Sequence, residues 1–219
     1  MNTWNDALFA AAQKGEAERV RALLQAADTR KTSTQEEMLA ALQIAIGNDF
    51  PGVVRVLCTA GAPFGLAVCK WNVGLAIPGV PPRNNFQPIH LAASVGSTSC
   101  IAALVSQFGV PVDSLDGGNE TPLHWACRFS HVDAIRELLA LNANAGYVNS
   151  TDYTPAYTPL EVAVIYGHIR CIAVLAAKQL EEAVLLRARR RSRWSFNHCR
   201  AVDVLLDRAL RLHKSTTAE

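Results

Sequence analysis

Hydrophobic positions along this chain recur at helical spacing, in short bursts separated by Gly, Pro or Ser-His breaks. The clearest burst is Thr121-Pro122-Leu123-His124-Trp125-Ala126-Cys127, which breaks at Ser130-His131 and resumes from Val132 through Leu138-Leu139. Gln87-Pro88-Ile89-His90-Leu91-Ala92-Ala93 is a second copy, followed by Gly96, Ile101 and Leu104-Val105. Thr158-Pro159-Leu160-Glu161-Val162-Ala163-Val164 is a third, with Gly167-His168 as its break and Ile172 and Leu175 facing inward. Two upstream stretches keep the apolar spacing without the motif. They run Leu8, Ala11-Ala12, Gly15, Val20, Leu23-Leu24, and Leu42, Ala45-Ile46, Val54, Leu57-Cys58, Gly61-Ala62.

The leading aliphatic residues are Leu8, Leu42, Ile89, Leu123 and Leu160, separated by 34, 47, 34 and 37 residues. Such a period indicates one supersecondary unit repeated, with insertions in two of the intervals. Pro88, Pro122 and Pro159 fit the first turn of a helix, where no proline N–H is needed. Gly15, Gly96 and Gly167 fit turns between paired helices, and small residues such as Ala92-Ala93, Ala126 and Ala163 allow close helix approach. Each helix is short and marginal alone, so stacking must bury what one unit leaves wet. Leu23, Leu57, Leu104, Leu138 and Leu175 are the expected stacking core.

Over about residues 3–180 these motifs resemble the ankyrin repeat family. The resemblance implies an all-α solenoid of about five helix pairs, joined by projecting hairpin-like loops and binding other macromolecules, usually proteins. The expected organisation is a repeat domain over 1–180, an inserted segment at about 64–86, and a basic, irregular helical cap and tail over 181–219. Three departures stand out: Asp6-Ala7-Leu8-Phe9 and Ala40-Ala41-Leu42-Gln43 where the Thr-Pro-Leu-His element belongs, and Glu161 in place of the histidine. The resemblance also implies that His90 and His124 tie loop to helix, and that the first helices line a concave face. Leu91, Ser94, Val95, Trp125, Arg128, Phe129, Val162, Ile165 and Tyr166 would then form an apolar and aromatic strip with one basic member. Trp125 and Phe129 are its expected anchors, with Arg128 orienting an acidic group. The competing reading is burial of the strip against adjacent repeats and the insertion.

The insertion contains Trp71, Leu75, Ile77 and Pro78-Gly79-Val80-Pro81-Pro82, so neither a continuous helix nor a fully solvated linker suits it. A loop folded back on the repeats, a binding finger and a disordered segment all remain open. Tyr147 and Tyr153 lengthen a later junction and are candidates to reach a partner, or to pack on the adjacent finger. Asp113, Asp116, Asn119 and Asp152 lie nearer the finger regions and would add polar specificity. Charge then shifts along the chain. Residues 185–219 hold nine Arg/Lys and three Asp/Glu, against twelve and sixteen in residues 1–184. Arg187, Arg189, Arg190, Arg191 and Arg193 are the densest cluster, readable as a solvated cap face or as a contact for RNA or an acidic protein surface.

Half of the 219 residues are hydrophobic and the net charge is +2, which excludes a disordered tail or a supercharged coating protein. The six cysteines are scattered singly, no secretory start is visible, and no apolar run reaches the roughly 18 residues of a membrane span. The cytoplasm is the expected compartment, with the nucleus as an alternative. His90, His124, His131, His168, His198 and His213 form no metal-ligand spacing with the cysteines, and no nucleophile elbow or phosphate-binding glycine motif occurs. The sequence therefore reads as a non-catalytic scaffold or adaptor, with no cofactor or metal and no sign of a homo-oligomer. An RNA-associated structural subunit is the alternative.

Overall fold

Each helix pair begins where the sequence supplies its own start signal. Gln87, Thr121 and Thr158 take extended backbone conformations at the N-cap, and the following proline opens the helix. The computed structural model describes residues 3–28, 35–64, 85–151, 154–178, 182–192 and 200–216. Within them lie six helix pairs. These are α1 (Thr3–Lys14) and α2 (Ala17–Asp28), α3 (Gln35–Gly47) and α4 (Pro51–Thr59), and α5 (Pro88–Val95) and α6 (Thr98–Phe108). They continue with α7 (Pro122–Arg128) and α8 (Val132–Ala140), α9 (Pro159–Tyr166) and α10 (Ile169–Ala177), and α11 (Glu182–Ser192) and α12 (Arg200–Thr216). A short antiparallel hairpin, β1 (Asn149–Thr151) and β2 (Thr154–Tyr157), stands between the fourth and fifth pairs.

The pairs pile up in two layers. First helices contact first helices in the order α1, α3, α5, α7, α9, α11, and second helices follow in parallel order α2 to α12. One continuous core runs from Leu8 to Leu210 and contains Leu57, Leu104, Leu138 and Leu175 as expected. In the first repeat Leu24 takes the buried place, while Leu23 packs only partly against the core. The cap is regular enough to form a full sixth pair, with α11 on α9 and α12 on α10.

A left-handed residue turns the chain between the helices of each of the first five pairs. Gly15, Gly96 and Gly167 do so as expected, and Asp49 (φ 53°) and Ser130 (φ 64°) fill the same role in pairs two and four. The start of the next helix then reaches back to the preceding repeat. Ser97 Oγ donates to the Ile46 carbonyl, His131 Nε2 to that of Ser94 at 2.9 Å, and His168 Nε2 to that of Arg128 at 3.0 Å. The rungs that join repeats are thus hydrogen bonds between a turn side chain and a carbonyl near the end of a helix in the preceding repeat.

Most of the inserted segment lies outside the described residues, but its ends do not. Phe64 packs its ring 5.1 Å from that of Phe108, and Phe86 is buried edge-on against Trp125 at 4.9 Å. Both ends belong to the body of the stack.

Candidate interaction site

The finger side of the stack is held by the recurring histidine. In repeat three, the Gln87 N–H donates to His90 Nδ1 at 3.1 Å, and Nε2 donates to the Ser114 carbonyl at 2.9 Å. In repeat four, Thr121 N and Oγ1 meet His124 Nδ1 at 3.3 and 2.8 Å, and Nε2 donates to the Tyr157 carbonyl at 3.1 Å. With Nδ1 accepting and Nε2 donating, both rings are held neutral. Burial lowers the pKa of each, that of His124 from 6.5 to about 4. Hydrogen bonds also join the loops. Asp113 accepts from Asn144 N at 3.0 Å, and Asn119 Nδ2 donates to the Ser150 carbonyl at 2.7 Å. Tyr147 sets its ring edge-on to His124 at 6.1 Å, whereas Asp152 and Tyr153 lie outside the described residues.

Repeat five solves the same problem with a carboxylate. Glu161 accepts from Thr158 N at 2.8 Å, and Thr158 Oγ1 accepts from Glu161 N at 3.2 Å, a reciprocal capping box. This leaves a buried negative charge, which α11 meets. Arg187 Nη2 lies 3.3 Å and Arg191 Nε 3.6 Å from the Glu161 carboxylate. Arg187 also donates to the Ala156 carbonyl at 3.1 Å, and Arg191 lies 4.6 Å above the Tyr157 ring. Arg189 pairs with Asp207 of α12 at 2.7 Å. Arg187 and Arg191 therefore clamp the cap to the repeats, and Arg189 joins the two helices of the cap. Arg190 is exposed, and Arg193 lies outside the described residues.

On the first-helix layer the expected exposed strip is corrected. Leu91 is 4% and Trp125 1% exposed, and Ser94 and Val162 are buried with them. Trp125 is enclosed by Phe86 and by Phe129, stacked at 6.1 Å, and its indole Nε1 donates to Asp116 Oδ2 at 3.0 Å. Asp116 is itself buried and accepts from Gly118 N and Glu120 N at 2.9 and 2.8 Å. Trp125 is thus a supporting residue rather than a contact surface.

What remains accessible lies at the C-terminal ends of α5, α7 and α9: Val95, Arg128, Phe129 and Ile165 half-buried, and Tyr166 43% exposed. Ile169, at the start of α10, is 40% exposed close by in sequence. Arg128 organises this patch. Its guanidinium lies 5.5 Å from the ring centres of both Trp125 and Tyr166, donates to Tyr166 Oη at 2.7 Å, and forms an ion pair with buried Glu120. Glu120 also accepts from Asn149 Nδ2 at 3.2 Å, linking the patch to the base of the hairpin. The sequence reading did not single out Glu120 or Ile169. Glu120 carries a weak signal, an acidic residue directly before the Thr-Pro-Leu-His element; Ile169 carries none.

Among the described residues no three His, Cys, Asp or Glu side chains gather as metal ligands, and no helix is long and apolar enough to cross a membrane. Cys58, Cys100, Cys127 and Cys171 are buried free thiols, and burial raises their pKa values, that of Cys58 to about 12.

Two layers of stacked helix pairs joined by loop-tethering histidines define a solenoid repeat protein. The chain belongs to the ankyrin repeat family: the family model describing ankyrin repeats in three copies matches residues 64–152 and 89–186. Among its relatives, the E3 ubiquitin-protein ligase XBAT33 of Arabidopsis thaliana is 33% identical over 90 residues, 41% of this chain and 17% of the ligase. A Caenorhabditis elegans homolog of transient receptor potential cation channel subfamily A member 1 is 30% identical over 97 residues, 43% of this chain and 8% of the channel. This chain thus spans less than a fifth of either relative. The ankyrin repeat domain of Bcl-3 has the same fold, with a TM-score of 0.65 at 18% identity, covering 94% of this chain and 85% of that one. Ankyrin repeats generally mediate protein–protein interaction, and the fold is typically non-catalytic.

Proposed function

We propose that this chain is a non-catalytic adaptor of an intracellular assembly, and that it binds a polypeptide at Val95, Arg128, Phe129, Ile165 and Tyr166. The observation that carries this reading is the Arg128 arrangement. An exposed tyrosine is held against a guanidinium that buried Glu120 and Trp125 already fix in place. Ordering these side chains before binding removes part of the entropy cost of association, and Tyr and Arg are favoured interface anchors. Leu91 and Trp125 serve the site from beneath. RNA contact through the basic cluster is less well supported, because Arg187, Arg189 and Arg191 already have acidic partners within the chain.

The test is affinity isolation with the tagged full chain, comparing the parent with Tyr166→Ala and with Phe129→Ala. Polypeptides recovered with the parent should fall about ten-fold with Tyr166→Ala, equivalent to about 1.4 kcal/mol. Recovery unchanged by both substitutions refutes the site. Recovery abolished by ribonuclease, or by Arg190→Glu alone, favours the RNA reading instead.

A further inference from the structure

The outer face of α12 is a surface that the Tyr166 patch leaves unexplained. Val202, Leu206, Ala209 and Leu210 are buried, whereas Arg200, Ala201, Val204, Arg208, Arg211 and Leu212 are exposed. At about 100° per residue these six positions fall within one sector about 120° wide. Val204 and Leu212 are each 58% exposed, more than any other large hydrophobic residue among those described.

The charges on this face are all of one sign. Asp203 and Asp207, the acidic residues of α12, point to its flank and are engaged by Ser192 at 2.6 Å and Arg189 at 2.7 Å. Among the described residues Arg200, Arg208 and Arg211 have no ion-pair partner. Arg208 and Arg211 stand one turn apart, where like charges repel. An anionic occupant with apolar groups would relieve that repulsion and cover the exposed aliphatic side chains.

We propose that this face docks an acidic amphipathic helix of a partner protein. Its aliphatic side chains cover Val204 and Leu212, about 12 Å apart along the axis at two turns' separation. Its carboxylates pair with Arg200, Arg208 and Arg211. A phosphate backbone would satisfy the arginines but leave both aliphatic side chains wet. An anionic bilayer is a poorer match, because the described face offers two aliphatic residues and no aromatic anchor to insert. The proposal is independent of the Tyr166 site.

The test uses the full chain and a fluorescein-labelled Leu/Glu peptide about five helical turns long, with a Ser/Glu peptide of equal charge as control. The Leu/Glu peptide should bind at least about ten-fold more tightly than its control. Both Val204→Asp with Leu212→Asp, and Arg208→Glu with Arg211→Glu, should weaken it about ten-fold, while Tyr166→Ala leaves it unchanged. If the aspartates disturb the helix by circular dichroism, Val204→Ser with Leu212→Ser carries the same comparison. Equal binding of the two peptides, or variants that bind like the parent, overturns the proposal. So does single-stranded RNA or a phosphatidylserine vesicle bound with the same dependence on Val204 and Leu212.

Discussion

Glu161 joins the repeats to the cap, and its removal separates two contributions that the geometry superimposes. The residue is buried, caps α9 through Thr158 N at 2.8 Å, and faces Arg187 and Arg191 at 3.3 and 3.6 Å. Glu161→Ala strands a buried N–H, which costs about 1–3 kcal/mol. It also removes two ion pairs whose arginine side chains are 44% and 40% exposed. Solvent screening holds each of those pairs to about 0.2–1 kcal/mol. The expected loss is about 1.4–5 kcal/mol in all. Glu161→Gln keeps an acceptor for Thr158 N and loses only the charge, so it should cost about 1 kcal/mol. Urea denaturation supplies the free energies, and hydrogen exchange locates them, because stability in a solenoid is a sum of neighbouring interfaces. Faster exchange should be concentrated in α9, α11 and α12. Raising the salt should shrink the gap between parent and Glu161→Gln, while the gap between the two variants persists. Equal stability of Glu161→Ala and the parent would refute the capping argument. A salt-independent cost for Glu161→Gln would refute the ion-pair argument.

Three other outcomes follow from the same geometry. Trp125→Ala should lose about 3–5 kcal/mol in denaturant melts, whereas Tyr166→Ala should lose under about 1 kcal/mol, since only the first empties a packed core; comparable losses would contradict the assignment of support and contact. Stability should fall on acidification, because below pH 6.5 the unfolded chain takes up protons that folded His124, with its pKa near 4, refuses. Its contribution is complete above pH 6.5 and is lost as the pH drops toward 4. By pH 5 that one ring accounts for about 2 kcal/mol, and His124→Gln should flatten the profile of urea midpoints against pH. Finally, Gly96→Ala should be worse than Gly109→Ala. Both glycines have positive φ (82° and 65°), but a Cβ at Gly96 would sit 2.5 Å from His131 Nδ1, and one at Gly109 meets nothing within 4 Å. We expect about 1 kcal/mol at Gly109 and about 1–2 kcal/mol more at Gly96, where the His131 bond to the Ser94 carbonyl is displaced, measured by thermal melts.

The amino-acid sequence by itself determined the repeat and its internal grammar. Proline at the helix start, threonine and histidine three residues apart, a left-handed turn residue and the inward leucines are all set within one helix pair, so their spacing is legible without a partner. The tertiary structure decided which of the remaining side chains meet solvent. The family resemblance implies that Trp125 and Leu91 line an open concave face, yet Trp125 is enclosed by Phe86 from the end of the insertion and by Asp116 from the preceding loop. Likewise the substitution of Glu161 for histidine and the run of arginines are both visible in the sequence, but as unrelated oddities. Only stacking α11 on α9 brings them together, because a charge pair between repeats depends on the register of the whole solenoid and not on the periodicity of either helix.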